Sequence, residues 1–304
     1  MNIRTLFAAL VTISLLSSCG KTYQIAFQVP EGMSLRYETE NTSISETKVM
    51  GMDVENVTIN NMTYRMDHIG SEPGGLERFK MSYEDIQYEQ SAMGQEMIYD
   101  SKDPSRSNNP QFDNIYGTLL ESDFELVYNS KGGLEDAPGL SEIMDKMFAD
   151  LPAEAQETVR AQMGDNALLQ AMKSMTYYYP QQDKVKIGDS WDITNEIAIA
   201  GMELIIDSKY TLMEVKDGQA KIQVTSEIDS NPDAAGMDMM GFRMSFDLQG
   251  TQEGFIYVDE STSWLNRMEL DQQLDGFMNM SSEQTGNMKV DMKVQTQQLI
   301  QKVD

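Results

Sequence analysis

Phe242-Arg243-Met244-Ser245-Phe246-Asp247-Leu248 alternates apolar and polar residues without a break. Successive side chains of an extended chain point to opposite faces, so this stretch reads as a strand with one buried and one wet face. The same period of two recurs in Tyr23-Ile25-Phe27-Val29, Met33-Leu35-Tyr37, Met62-Tyr64-Met66, Trp264-Met268-Leu270 and Met288-Val290-Met292-Val294. Strands with one solvated face belong to antiparallel sheet; parallel strands covered by helices on both sides read as continuous apolar runs. Turn chemistry agrees. Asp217-Gly218 lies between Leu212-Met213-Glu214-Val215 and Ile222-Gln223-Val224, a two-residue hairpin signal. Further breaks are expected at Asn129–Gly133 and at Asp275-Gly276.

One interval departs from this pattern. Leu140, Ile143, Met144, Met147, Phe148 and Leu151 recur every three or four residues, and Pro152 opens a second helical stretch with Glu154 and Glu157 in its first turn. The expected layout is strands from about 22 to 130, a helical insert over 139–176 that Gly164-Asp165-Asn166 kinks or splits, and strands from 182 to 304. The fold class is therefore mainly β, one large curved antiparallel sheet or half-barrel with a helical insert. An apolar stripe flanked by Gly132-Gly133 and Gly164 also suits a lid.

The N-terminus reads as an export signal. After Met-Asn-Ile-Arg comes an uncharged run from Leu6 to Leu16, too short for the ~20 residues of a membrane-spanning helix but suited to the apolar part of a signal peptide. It ends in Leu16-Ser17-Ser18-Cys19-Gly20, which resembles the lipobox of bacterial lipoproteins. Residues 1–18 are then the signal peptide, and Cys19 is the lipidation site, its thiolate the nucleophile that takes the acyl-bearing group. Residues 19–22 form a short stem, and 23–304 form a single domain. Cys19 is the sole cysteine, so no internal disulfide can form. Gly20 stands where an inner-membrane retention signal would place Asp, and no acidic run follows the cysteine. The expected location is the outer membrane, lipid-anchored, on its periplasmic face.

Removing residues 1–18 takes Arg4 away and leaves 22 basic side chains against 49 acidic, a formal charge of −27 over 286 residues. Such a chain assembles no basic surface for a polyanion, so nucleic acid is excluded as a partner. The charge also repels anionic headgroups, which leaves the acyl anchor as the attachment to the membrane. The acidity itself reads as a solubility device.

Tyr179-Pro180 followed by Val185-Lys186-Ile187-Gly188-Asp189-Ser190-Trp191 resembles the landmark of an uncharacterised family of Bacteroidota lipoproteins, a domain of unknown function. Those proteins share the lipobox and a glycine-containing turn leading into mid-chain helices, here Gly132-Gly133 to Met147. The resemblance implies a lipoprotein-carrier-like plan, a strongly curved antiparallel sheet whose concave side is covered by helices. It implies no activity.

Candidate chemistry is sparse. Gly188-Asp189-Ser190 invites comparison with Gly-Asp-Ser esterases, but the one histidine, His68, lies upstream of the serine. The serine therefore lacks a downstream base. Val185, Ile187, Trp191 and Ile193 instead read as one strand face, with Gly188 permitting a bulge. His68 shares the parity of Met62, Tyr64 and Met66 and reads as a half-buried strand residue, and a single histidine excludes zinc-hydrolase spacings. Asp229-Ser230-Asn231-Pro232-Asp233 opens like a calcium loop, but Ala234 and Met240 occupy its glycine and bidentate-glutamate positions. Glu84-Asp85 is an expected coincidence among 49 acids.

Methionine is the unusual resource, with 25 in the chain. Met50-x-Met52, Met237-x-Met239-Met240 and Met278-x-Met280 place thioethers on one strand face, a spacing that serves a sheet core, an adaptable apolar surface or a Cu(I) site. The sequence thus points to a non-enzymatic envelope lipoprotein that needs no cofactor or resident metal and binds or carries a lipid or other apolar ligand. An interaction scaffold of unknown partner and a methionine-rich Cu(I)-binding protein remain as alternatives.

Overall fold

A computed structural model describes residues 21–49, 51–149, 178–182, 184–199, 202–234, 236–239, 242–282 and 286–304, with isolated positions 156, 169 and 172. The signal segment, Cys19 and nearly all of the second helical stretch expected after Pro152 lie outside the described residues; Gln156, Leu169 and Met172 are helical. In chain order the elements are β1 (Thr22–Tyr23), β2 (Ser34–Val49), β3 (Met52–Glu72), β4 (Leu76–Ala92), β5 (Gln95–Asp100), α1 (Pro110–Leu120), β6 (Asp123–Tyr128), β7 (Leu134–Asp136) and α2 (Leu140–Met147). Then come β8 (Val185–Lys186), β9 (Ser190–Ile199), β10 (Met202–Lys216), β11 (Gln219–Ser230), β12 (Met237–Met239), β13 (Phe242–Asp259), β14 (Leu265–Ser282) and β15 (Gly286–Val303).

Thirteen strands form one curved, open, wholly antiparallel sheet in the order β7-β6-β4-β3-β2-β15-β14-β13-β11-β10-β9, with β5 beside β4 and β12 beside β13. Two meanders, one from each end of the chain, are joined at its centre where β2 pairs with β15. The alternation that defines the strands also divides them into faces. On β11, Ala220, Ile222, Val224, Ser226 and Ile228 are buried, while Lys221, Gln223, Thr225 and Glu227 between them are not. Each large aliphatic side chain taken out of water this way contributes ~1.5–3 kcal/mol, which fixes the register because a one-residue slip would reverse every face.

The hairpin at Asp217-Gly218 forms as its sequence requires, with φ of 52° and 78° joining β10 to β11. Three expectations need correction. Asp275-Gly276 is no turn and lies inside β14, where Gly276 lets the backbone approach Asp247 of β13. Of Tyr23-Ile25-Phe27-Val29 only Tyr23 is strand; residues 24–30 have no regular secondary structure, with Ile25 1% exposed. Thr22 pairs with Lys186 and Tyr23 with Val185. A helix, α1, interrupts the first strand series: Pro110 takes its first turn and the Asn109 side chain accepts a hydrogen bond from Gln111 N at 3.0 Å. Of the expected insert the described helix is α2, which buries Leu140, Ile143 and Met144.

Candidate ligand-binding face

The inward face carries almost none of the chain's charge. From Leu35 to Thr47 on β2, Met244 to Val258 on β13 and Met268 to Met280 on β14, no inward position holds a charged residue. The charges of these strands sit at the alternate positions, for example Glu38, Glu40 and Glu46 on β2 and Glu269, Asp271 and Asp275 on β14. Burying a charge without a partner costs several kcal/mol, so a face meant to stay dry excludes it.

Two cavities open on this face. One, of about 270 Å³, is lined by aromatic rings and methionines, among them Tyr37, Met62, Tyr64, Met81, Tyr128 and Trp264. The other, of about 310 Å³, is lined by aliphatic side chains such as Leu204, Ile206, Val224, Leu270 and Leu274. They share Asn41, Tyr178 and Gln298, and neither has an Asp, Glu, His, Lys or Arg in its lining. A larger hollow of about 660 Å³ lies elsewhere, lined by Asp192, Asp207, Lys209, Glu227 and Glu253 among others. It is charged and open, unlike a ligand pocket with an apolar lining.

The aromatic end is closed by three segments that meet over the sheet. Trp264 donates its ring N–H to Gln28 O at 2.7 Å and packs against Phe27 and Phe79, both with centroids 5.2 Å away. Tyr178 donates its hydroxyl to Ser263 O at 2.9 Å, and Tyr37 donates to Leu265 O at 2.9 Å. Desolvation holds the Tyr37, Tyr64, Tyr128, Tyr178 and Tyr179 phenols well above their usual range and pushes Tyr83 up to about 12. All are therefore neutral near pH 7.

The Gly-Asp-Ser motif serves this closure. Lys186 N donates to Asp189 Oδ2 at 2.8 Å, and Gly188, with φ of 93°, donates its N–H to Leu212 O at 2.7 Å. The Ser190 hydroxyl bonds the Thr211 hydroxyl at 2.9 Å, so its nearest partner is no base. Trp191 donates to Tyr178 O at 3.0 Å and stacks on Tyr210, while β8 pairs with β1. The motif thus ties the chain's N-terminal segment and Tyr178 to the sheet. Ile187 departs from expectation: it sits in the turn between β8 and β9 and is 52% exposed, whereas Val185, Trp191 and Ile193 are buried.

The other candidates disperse. His68 lies near the end of β3 with its side chain 8% exposed, and Glu77 Oε2 is 2.8 Å from its Nε2. Glu84 pairs with Arg36 and Arg65, which hold its carboxyl below the usual range, while Asp85 pairs with Lys102 at 2.7 Å. Asp229 and Ser230 end β11, and Asn231 follows it, its side chain accepting from Asp233 N at 3.0 Å in the next turn. Among the described residues no three His, Cys, Asp or Glu side chains gather as a metal site. Of the methionines, Met50 and Met240 lie outside the described residues, as do the side chains of Met237 and Met239; Met52 is 60% exposed. Met278 and Met280 do sit on one face of β14, and Met280 is the cross-strand partner of both Met244 and Met288.

Sequence reasoning missed a polar row across the inward face. Direct cross-strand partners run Ser208, Ser226, Gln252, Gln272, Thr296 and Ser43, one from each of β10, β11, β13, β14, β15 and β2, and continue to Thr58 on β3. On the next inward row, Gln298, Asn41 and Asn60 are likewise successive partners. Each of these residues is an ordinary polar break in its own strand; only the register aligns them.

The family model that describes a family of unknown function, DUF6263, matches residues 74–265. The chain belongs to this family. The matched region runs from the turn before β4 to the start of β14 and so includes the Lys186–Trp191 landmark. No curated protein matches this DUF6263 chain in sequence. Among solved structures, one titled for lipid–protein interactions in lipovitellin aligns over 91% of the chain with a TM-score of 0.51 and 11% identity. The chain spans about a quarter of that lipovitellin, 26% of its length. The likeness establishes the shared fold, the curved antiparallel sheet. The Pseudomonas aeruginosa protein OccK5 aligns over 89% of the chain and 98% of its own length with a TM-score of 0.26 and 8% identity.

Proposed function

We propose that this DUF6263 protein is a non-enzymatic cell-envelope lipoprotein that binds or carries a lipid or other apolar ligand on the inward face of its sheet. One observation carries the reading: in a chain with 49 acidic residues, both inward cavities are lined by apolar and uncharged polar side chains alone. Apolar cavities with a few polar groups are the usual form of small-molecule sites. The fold shared with lipovitellin, a protein whose structure is titled for its lipid interactions, supports the same reading. The lipobox-like Leu16–Gly20 supports an acyl anchor at Cys19 and a place on the periplasmic face of the outer membrane.

The test is displacement of an environment-sensitive apolar dye by a membrane lipid extract. Leu270 is half-buried and lines the second cavity, so Leu270→Glu places a charge there. The expected result is dye binding that lipid reverses and that the variant, still folded by circular dichroism, weakens about tenfold or more. Absence of dye binding, or binding that the variant leaves unchanged, contradicts the proposal.

A second reading rests on the in-register Met244, Met280 and Met288, since thioethers favour Cu(I). Competition against a chromogenic Cu(I) chelator distinguishes it. Loss of copper from the chelator that Met280→Leu abolishes supports this reading, and an unchanged chelator spectrum removes it.

A further inference from the structure

On β10, β11, β13 and β14 the polar row divides the inward face into two apolar fields, whereas on β2 Thr39, Asn41, Ser45 and Thr47 keep it polar to either side. On the side toward the aromatic cavity lie Val224, Leu270, Ile256 and Met268; on the other lie Ile206, Ile228, Leu248 and Leu274, which form a cluster of their own. Polar residues spanning seven strands weaken the burial on which the sheet depends, and each needs a partner. Some find one another. Ser208 and Ser226 bond at 2.8 Å while 5% and 4% exposed, Ser226 donates to Gln252 Oε1 at 3.5 Å, and Thr296 donates to Ser43 at 3.2 Å. Asn60 does not: the residue lines the aromatic cavity, and its buried Oδ1 has no hydrogen-bond partner among the described residues. A buried acceptor left unmade is costly.

Resting on the lipid-binding reading, we infer that the inward face selects an uncharged lipid whose hydrogen-bond-donating group, a hydroxyl or an amide N–H, lies between hydrocarbon arms. That group sits at the edge of the belt, where Asn60 of the adjoining row accepts from it. The arms run along the strands to either side. From Gln252 to Met244 is eight residues and from Gln252 to Val258 is six, so the fields extend ~27 Å and ~20 Å from the belt at ~3.4 Å per residue. Either exceeds the ~15 Å that a lipid tail occupies in half of a ~30 Å hydrocarbon core. The belt residues named above are all uncharged, so a phosphate or carboxylate on the ligand would be desolvated with no counter-charge. A lipid carrying only acceptors, such as a triacylglycerol, would leave Asn60 Oδ1 unsatisfied.

The experiment incubates the purified protein with neutral vesicles doped separately with diacylglycerol, ceramide, triacylglycerol or phosphatidic acid, and measures the lipid retained by mass spectrometry. The expected result is retention of diacylglycerol and ceramide over the other two by about tenfold or more, the worth of one satisfied buried acceptor. Asn60→Leu should abolish the preference while keeping triacylglycerol, and should raise the melting temperature of the empty protein because the orphaned acceptor is gone. Gln252→Leu and Gln272→Leu together should reduce retention of the donor-bearing lipids in a folded protein. Equal retention of all four, preference for phosphatidic acid, or a preference that Asn60→Leu leaves intact would overturn the belt and leave lipid binding standing. Retention of none overturns both.

Discussion

Replacing Gly254 by alanine is expected to destabilise the sheet, although alanine is the better residue in most contexts. Gly254 lies on β13 directly opposite Leu270 of β14, two residues from Gln252 of the belt. A Cβ built there falls 1.9 Å from Glu269 O and 3.0 Å from Leu270 Cα, short of ordinary contact with that oxygen by about 1.5 Å. The obstruction is backbone of a strand held on both sides, by β13 and β15, so it cannot swing away as a side-chain tip would. Overpacking of this kind costs ~1–3 kcal/mol, against ~0.5–1 kcal/mol recovered by removing a glycine's excess freedom. The net loss of roughly 1–2 kcal/mol corresponds to a fall in Tm of about 3–8 °C. Gly117, within α1, gives the opposite sign. A Cβ there meets nothing within 4 Å, so Gly117→Ala should stabilise by about 0.5–1 kcal/mol. Thermal melts followed by circular dichroism compare the two. A Gly254→Ala melt at or above the parent's would refute the claim that glycine brings these strands together.

Cys19→Ala should abolish incorporation of labelled lipid and leave an unprocessed or soluble form, because no second thiol exists to take its place; unchanged membrane partitioning contradicts the anchor. Alkaline stability has a defined sign. The tyrosines around the aromatic cavity have folded pKa values raised by desolvation, with Tyr83 near 12. Their contribution is therefore complete below the unfolded value of ~10 and is lost as pH climbs through the folded values. The melting temperature should fall from about pH 10 upward, and a flat profile to pH 12 contradicts the desolvated cluster.

The strands were legible because their alternation is a local property that burial enforces: β11, β13 and β15 lie where the period of two ends and begins. The hairpin at Asp217-Gly218 was legible for the same reason, since two positive φ values select these residues. Asp275-Gly276 carries the same letters but serves a close approach between β13 and β14, which only the neighbouring strand reveals. Ile25 and Phe27 alternate as a strand would, yet Ile25 is buried and Phe27 packs half-buried against Trp264 without strand pairing, so burial pattern alone could not separate the two states. The signal for α1 was present in Asn109-Pro110, a cap followed by proline, but the helix buries no residue fully and so shows little apolar stripe. The belt was invisible because a polar residue every so often in a strand has no meaning until register aligns it with its neighbours. The esterase-like letters dissolved once Ser190 met Thr211 and Asp189 met the Lys186 backbone.

The central claim is that the uncharged inward face holds a lipid, and the most direct test is native mass spectrometry of the protein extracted gently from its own membrane. The account predicts an adduct beyond any covalent acyl anchor, released on activation, whose mass is that of an uncharged lipid bearing a hydroxyl or amide and which is lost in Leu270→Glu. A protein that flies only at its bare anchored mass, and whose denaturing extract yields no stoichiometric lipid, contradicts it.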